Sequence, residues 1–254
     1  MKLFISIVVS IISLIAIFYL IFIPIKINKN QLKKIEQQLE IIEDDKLLIK
    51  WNPMIREHLK FPLTNDYGSH SIVLVAALCA TKSGPILELG MGAASSPLLH
   101  RLALEQKRFL LSADSDRRWI NYFSSFAVNN TFHELKYVEI KSEMGIEWAT
   151  SNLEDYRNWT VVFIDHRPGS RRQFDLMSYS HRSDVVILHD TESSSLYQYD
   201  RALSLYPYKY RFSKLRPYTD VLSVRNEKLI NVIRRLLETT PDYYFSNITL
   251  NKNF

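Results

Sequence analysis

"GPILELGMGAASSPLLH", residues 84–100, decides the fold. An apolar run closes on Glu88, two glycines follow two residues apart, and small residues lead into an apolar segment with helical spacing. Gly90 and Gly92 let the backbone turn sharply and approach a ligand, as a residue with a Cβ cannot. The segment after them opens with Ser95, Ser96 and Pro97, good helix-start residues, and a helix start offers unpaired N–H groups. The stretch reads as strand, close-approach turn and helix. A dinucleotide fingerprint needs G-x-G-x-x-G. Ser95 stands where the third glycine would be, and the acid before the first glycine points to a different ligand.

The same alternation continues outward. Helical patterns are expected over 70–82, 95–106, 115–127, 142–152, 170–180, 195–206 and 227–240. Strands are expected over 85–90, 108–114, 136–141, 159–166, 183–190, 208–215 and 219–224. Continuous apolar strands alternating with helices predict a parallel sheet covered on both faces. The last two strands have no helix between them, so an antiparallel edge is expected. Ligands of such sheets bind at the carboxyl ends of the strands, where strand order reverses. Glu88, Asp114, Asp165 and Asp190 all fall at or near those ends.

On "ELGMGAASS" and "LLSADSD" the chain resembles the class I S-adenosylmethionine-dependent methyltransferases over about residues 68–225. The resemblance implies a Rossmann-like fold with a mostly parallel seven-stranded sheet and helices on both faces. It implies that Glu88, Gly90, Gly92 and Ser95 hold the methionine side of S-adenosylmethionine. Asp114, with Asp116 as alternative, would hold the ribose. Trp119 is read either as an adenine edge or as core. "VVFIDH" and "VVILHDTE" are similar to the fourth and fifth strand ends of metal-dependent O-methyltransferases. That likeness implies Asp165 and Asp190 as Mg²⁺ ligands, with Thr191 in place of an Asn and His189 or Glu192 as substitutes. Such a metal would acidify an acceptor hydroxyl. Two other readings stay open: Asp165 and Asp190 as turn and helix caps, and His166 or His189 as general base without a metal. "IDHRPGSRR … LHDTE … RPYTDVLS" also resembles a family of methyltransferase-like proteins.

Arg171, Arg172 and Arg216 follow the fourth strand and the "RPY" turn. Arginine forks suit carboxylate or phosphate, so an anionic small-molecule, glycan or lipid acceptor is one reading and ordinary surface pairing the other. The net charge of +5 comes without a basic run interleaved with aromatics, which argues against nucleic acid. The single cysteine, Cys79, lies in an apolar run and is expected as a buried thiol.

Residues 3–25 carry no charge and are long enough to cross a bilayer as a helix, so one transmembrane helix is expected ahead of the domain. Lys26, Lys29, Lys33 and Lys34 follow the span, which places the domain on the cytoplasmic side. Glycosylation-type triplets at Asn129, Asn158 and Asn247 argue for the lumenal side. Leu32, Ile35, Leu39 and Ile42 form an apolar helical stripe. The expected organisation is an anchor over 1–26, a helical stalk over 27–66 and a methyltransferase-like domain over 67–254. A membrane-anchored O-methyltransferase is the first functional expectation. An inactive methyltransferase-like module that binds a ligand or partner is the second, and a nucleotide-binding oxidoreductase the third.

Overall fold

The computed structural model describes residues 29–65, 68–128, 132–151, 153 and 158–245. The chain divides into two units, 1–46 and 47–254. In the first unit the described residues are helical, the beginning of α1 (Lys29–His58). The expected anchor over 3–25 lies outside the described residues, as do the sequons at Asn129 and Asn247 and the side chains of the Leu32 to Ile42 stripe. Among the described residues no helix is long and apolar enough to cross a membrane.

The second unit is built on a seven-stranded sheet, β1 (Ile86–Leu89), β2 (Leu110–Asp114), β3 (His133–Tyr137), β4 (Trp159–Ile164), β5 (Ser183–His189), β6 (Tyr208–Phe212) and β7 (Thr219–Ser223). Its order is β3-β2-β1-β4-β5-β7-β6. β7 runs antiparallel to both β5 and β6, and the other pairings are parallel. Every residue of β1 and β2 is buried, because helices cover both faces. Alternate side chains divide between two apolar cores. Ile86, Leu110, Val161 and Ile187 lie in one with α2 (Ser71–Thr81), α3 (Ser96–Glu105) and α6 (Glu227–Glu238). Leu87, Leu111, Val162 and Val186 lie in the other, with Leu176 of α5 (Arg172–Tyr179).

The local chemistry of the helices is conventional. α2 is buried over Ser71–Cys79, so its apolar character runs right round it. α6 is amphipathic, with Leu229, Ile233 and Leu236 inward, and Asn226 caps its start by accepting from the Leu229 amide at 3.0 Å. The last turns of α1 contribute Trp51 and Ile55 to the core, so the compact unit begins at Leu47, ahead of the 67 expected from sequence.

Several expected boundaries move. β3 starts at His133, not Lys136, and only its first residue is buried. The helix expected over 142–152 is a single turn, Glu147–Thr150, because Gly145 takes a φ of +60° just before it. The 115–127 helix breaks at Phe123 into α4 (Arg117–Tyr122) and a short turn. The 195–206 helix breaks at Gln198, whose φ is 58°.

Candidate active site

The order of strands reverses between β1 and β4, and the glycine turn sits at that point. Gly90 has a φ of +97°, and a Cβ there would lie 2.5 Å from the backbone of Asp165 and His166. Only glycine allows the β1 turn to pack so closely on the end of β4. Gly92 is different: the nearest atom to its would-be Cβ is Ser95 Oγ at 3.6 Å, an ordinary contact with open space around it.

Glu88 is fully buried. Its two oxygens accept from Ser96 Oγ at 2.9 Å and Ser112 Oγ at 2.5 Å. Ser96 in turn accepts from the Gly92 amide at 3.0 Å, so the carboxyl braces the turn from beneath. Burial pushes the Glu88 carboxyl up to about 7, with the Ser112, Ser95 and Ser96 hydroxyls opposing the rise. Of the turn, only Met91 lines the cavity described next; Glu88, Gly90, Gly92 and Ser95 do not.

A cavity of about 910 Å³ runs along the carboxyl ends of the strands. At one end stand Asp114, Trp119, Tyr137 and Ile140; Met91 crosses the middle; Asp165, Arg172, His189 and Asp190 close the other end. Asp114 accepts from the Met91 amide at 2.6 Å and the Asp116 amide at 2.5 Å, which ties the glycine turn to β2. Burial raises its carboxyl. Each oxygen still has a second lone pair for a ligand hydroxyl. Asp116 caps α4 instead, accepting from the Arg118 amide at 2.9 Å. Trp119 is half-buried on the cavity wall with its ring stacked on Phe123, so it is packed on one side and open to the cavity on another.

The far end does not fit the expected magnesium site. Arg172, 5 % exposed, places Nη2 2.9 Å from Asp165 Oδ1 and Nη1 2.8 Å from Asp190 Oδ2. Its Nε also donates to the His166 carbonyl at 2.8 Å. A guanidinium bridges the two carboxylates that were expected to share a cation. Thr191 donates to Asp220 at 2.9 Å, and Glu192 accepts from the Tyr218 amide at 2.6 Å, so neither supplies a third oxygen. The capping alternative fails for Asp190 as well. It has a left-handed φ of 60° and makes no side-chain cap bond. Burial pushes Asp165 up to about 7, with Arg172 opposing.

Of the expected bases, His166 is buried, gives Nε2 to Asp175 at 2.7 Å and stacks on Trp148. Its protonation is disfavoured by burial. His189 bonds Thr219 Oγ1 through Nδ1 at 3.1 Å, and burial pulls it down to about 4. Burial therefore favours the neutral form of both imidazoles, and His189 is a weak proton acceptor near pH 7. The arginines part company too. Arg171 is buried on Asp175 at 3.1 Å and Arg216 reaches Tyr218 at 3.3 Å; neither lines the cavity. Arg118 and Arg167 do line it and are exposed, and sequence reading passed over Arg118 entirely. His70, 6 % exposed beside His189, was also missed, because nothing distinguishes it from a residue leading into an apolar helix.

No family model matches the sequence, and no curated protein matches it. Among solved structures, the O-methyltransferase TomG from Streptomyces achromogenes, involved in tomaymycin synthesis and in complex with S-adenosylmethionine, is 15 % identical, with 73 % of this chain and 96 % of that one covered and a TM-score of 0.44. Human methyltransferase-like protein 13 in complex with S-adenosylhomocysteine is 13 % identical, with 72 % and 98 % covered and a TM-score of 0.44. The sheet carries the fold by itself, in the order 3-2-1-4-5-7-6 with β7 reversed. It is the mostly parallel seven-stranded sheet with a reversed strand near one edge that the alternation of strands and helices led us to expect. The nucleotide-binding oxidoreductase expectation has no support in this sheet order or in the turn, which lacks the third glycine.

Proposed function

We propose that this chain is an S-adenosylmethionine-dependent methyltransferase acting on a small, hydroxyl-bearing acceptor. The observation that carries the reading is the continuous cavity from Asp114 to Asp165 and Asp190, crossed by a turn that Gly90 seats against the end of β4. When bound, the cofactor supplies an electrophilic methyl group. The chain's own residues do the rest by positioning. Asp114 would accept from ribose hydroxyls, Trp119 and Ile140 would offer the base a cavity wall, and the open side of Gly92 would let the backbone come close to the ligand. Asp165 and Asp190, fixed by Arg172, orient the acceptor hydroxyl and take its proton. Exposed Arg167 at the rim favours an acceptor with an anionic group. The uncharged run at 3–25 and the lysines after it support a membrane-anchored chain with the domain on the cytoplasmic side.

A second reading, a non-catalytic binding module, draws on one feature: Arg172 occupies both acids that would handle the acceptor. Calorimetry of the full chain with S-adenosylhomocysteine and with NAD tests the first reading. Binding of the former alone is expected, and Gly92→Ala should weaken it about tenfold without lowering stability. No binding of S-adenosylhomocysteine sinks the methyltransferase reading. Binding without turnover across a broad acceptor panel favours the second.

A further inference from the structure

We propose that His70, Asp165 and His189 form a site for one divalent ion of the zinc class, distinct from an oxygen-ligand magnesium site. The three come from separate places in the chain: the residue before α2, the loop after β4 and the end of β5. One ligating atom from each lies within 4.8 Å of the others. The fold thus gathers two imidazoles and a carboxylate at one point, the donor set of zinc and other borderline transition metals rather than of Mg²⁺.

Each ligand is prepared in a different way. His70 is 6 % exposed, and neither of its ring nitrogens has a hydrogen-bond partner. A buried polar group without a partner is costly, so its retention points to a ligand that satisfies it. Its ring meets that of His189 edge-on, with centroids 4.6 Å apart, and leans on Phe163 at 5.0 Å. His189 spends Nδ1 on Thr219, which fixes the ring and leaves Nε2 for a metal. That Nε2 is 3.7 Å from Asp190 Oδ1, too far for a hydrogen bond. Asp165 gives Oδ1 to Arg172 and keeps Oδ2. Arg172 shares its charge between Asp165 and Asp190 and bonds only Oδ1 of the Asp165 carboxylate, so Oδ2 stays open to a cation. Asp165 and His189 line the cavity, from which a further ligand can complete the coordination.

The test uses the full chain stripped by a chelator and titrated with Co²⁺, with visible ligand-field bands as the readout. One ion per chain is expected, retained in excess Mg²⁺. His70→Ala and His189→Ala should each weaken binding about 100-fold. His100→Ala, in the separate His100–His133 pair, should leave it unchanged. Should the variants misfold, Cu²⁺ bound to the wild-type chain gives an independent answer: its electron paramagnetic resonance should show splitting from two imidazole nitrogens. No bound ion, ready displacement by Mg²⁺, an oxygen-only spectrum, or loss of binding in His100→Ala but not in His70→Ala overturns the proposal. The metal site does not depend on the methyltransferase reading. Calorimetry with S-adenosylhomocysteine on the same samples separates the failure of one from the failure of the other.

Discussion

At Glu88 a single buried carboxyl links the glycine turn to pH. Its burial, opposed by three serine hydroxyls, raises it from 4.5 to about 7. The folded state therefore holds the proton more tightly than the unfolded one. The stability this contributes is complete below about pH 4.5 and is lost as pH rises through 7. The gap corresponds to about 3 kcal/mol. Glu88→Gln keeps an acceptor for one hydroxyl and cannot ionise. Urea unfolding at pH 5 and pH 8 should show the wild type losing about 3 kcal/mol more than the variant. Parallel stability profiles would show that Glu88 titrates normally. The residue scale is also where sequence reading was most uneven. That Glu88, Gly90 and Asp114 stand at strand ends was legible from the apolar runs before them, but that Glu88 lies beneath the turn, bonded to Ser96 and Ser112, was not. His70 was not: more than a hundred positions separate it from His189, and only the folding of α2 beside β4 and β5 joins them.

Among the elements, the strands that were easiest to read are those buried on both faces, since β1, β2, β4 and β5 are nearly continuous apolar runs. β3 is the sheet edge and mostly polar outward, so its apolar signal was displaced by three residues. The turn after β4 and the start of α5 gave the opposite lesson. The arginines there were legible as charge but not as structure, because their partners come from β4, β5 and α5 itself. Arg172 is the clamp between the β4 and β5 ends. Replacing it with Met leaves Asp165 and Asp190 facing each other without compensation, at a cost of about 3 kcal/mol given that each is about a quarter exposed. Adding Asp165→Asn and Asp190→Asn should recover most of that loss, since a neutral cluster needs no counter-charge. Chemical unfolding of the single and triple variants checks this. A single variant within about 0.5 kcal/mol of wild type would mean that water already screens the pair.

On the scale of the whole molecule, a mostly parallel sheet with an antiparallel edge was foreseeable from alternation and from the paired strands at the end, but the edge of the domain was not. An apolar stripe that continues through a helix looks the same whether it covers a stalk or a core. The structure separates the two at Trp51. Its indole is 1 % exposed and donates to Thr240 Oγ1 at 2.9 Å, beyond the end of α6. Ile55 is fully buried, and the Leu63 amide donates to the Tyr244 carbonyl at 2.8 Å. These contacts join residues 51–63 to residues 240–244 in the core on one face of the sheet. Removing a buried Trp or Ile costs about 2 to 5 kcal/mol each. Losing both together consumes most of the roughly 5 to 15 kcal/mol that stabilises a domain of ordinary size. A fragment beginning at residue 47 should therefore melt cooperatively, whereas one beginning at residue 67 should not. Calorimetric scans of the two fragments decide the matter: equal melting temperatures would return residues 47–66 to the role of a linker and leave the core to the sheet and its own helices.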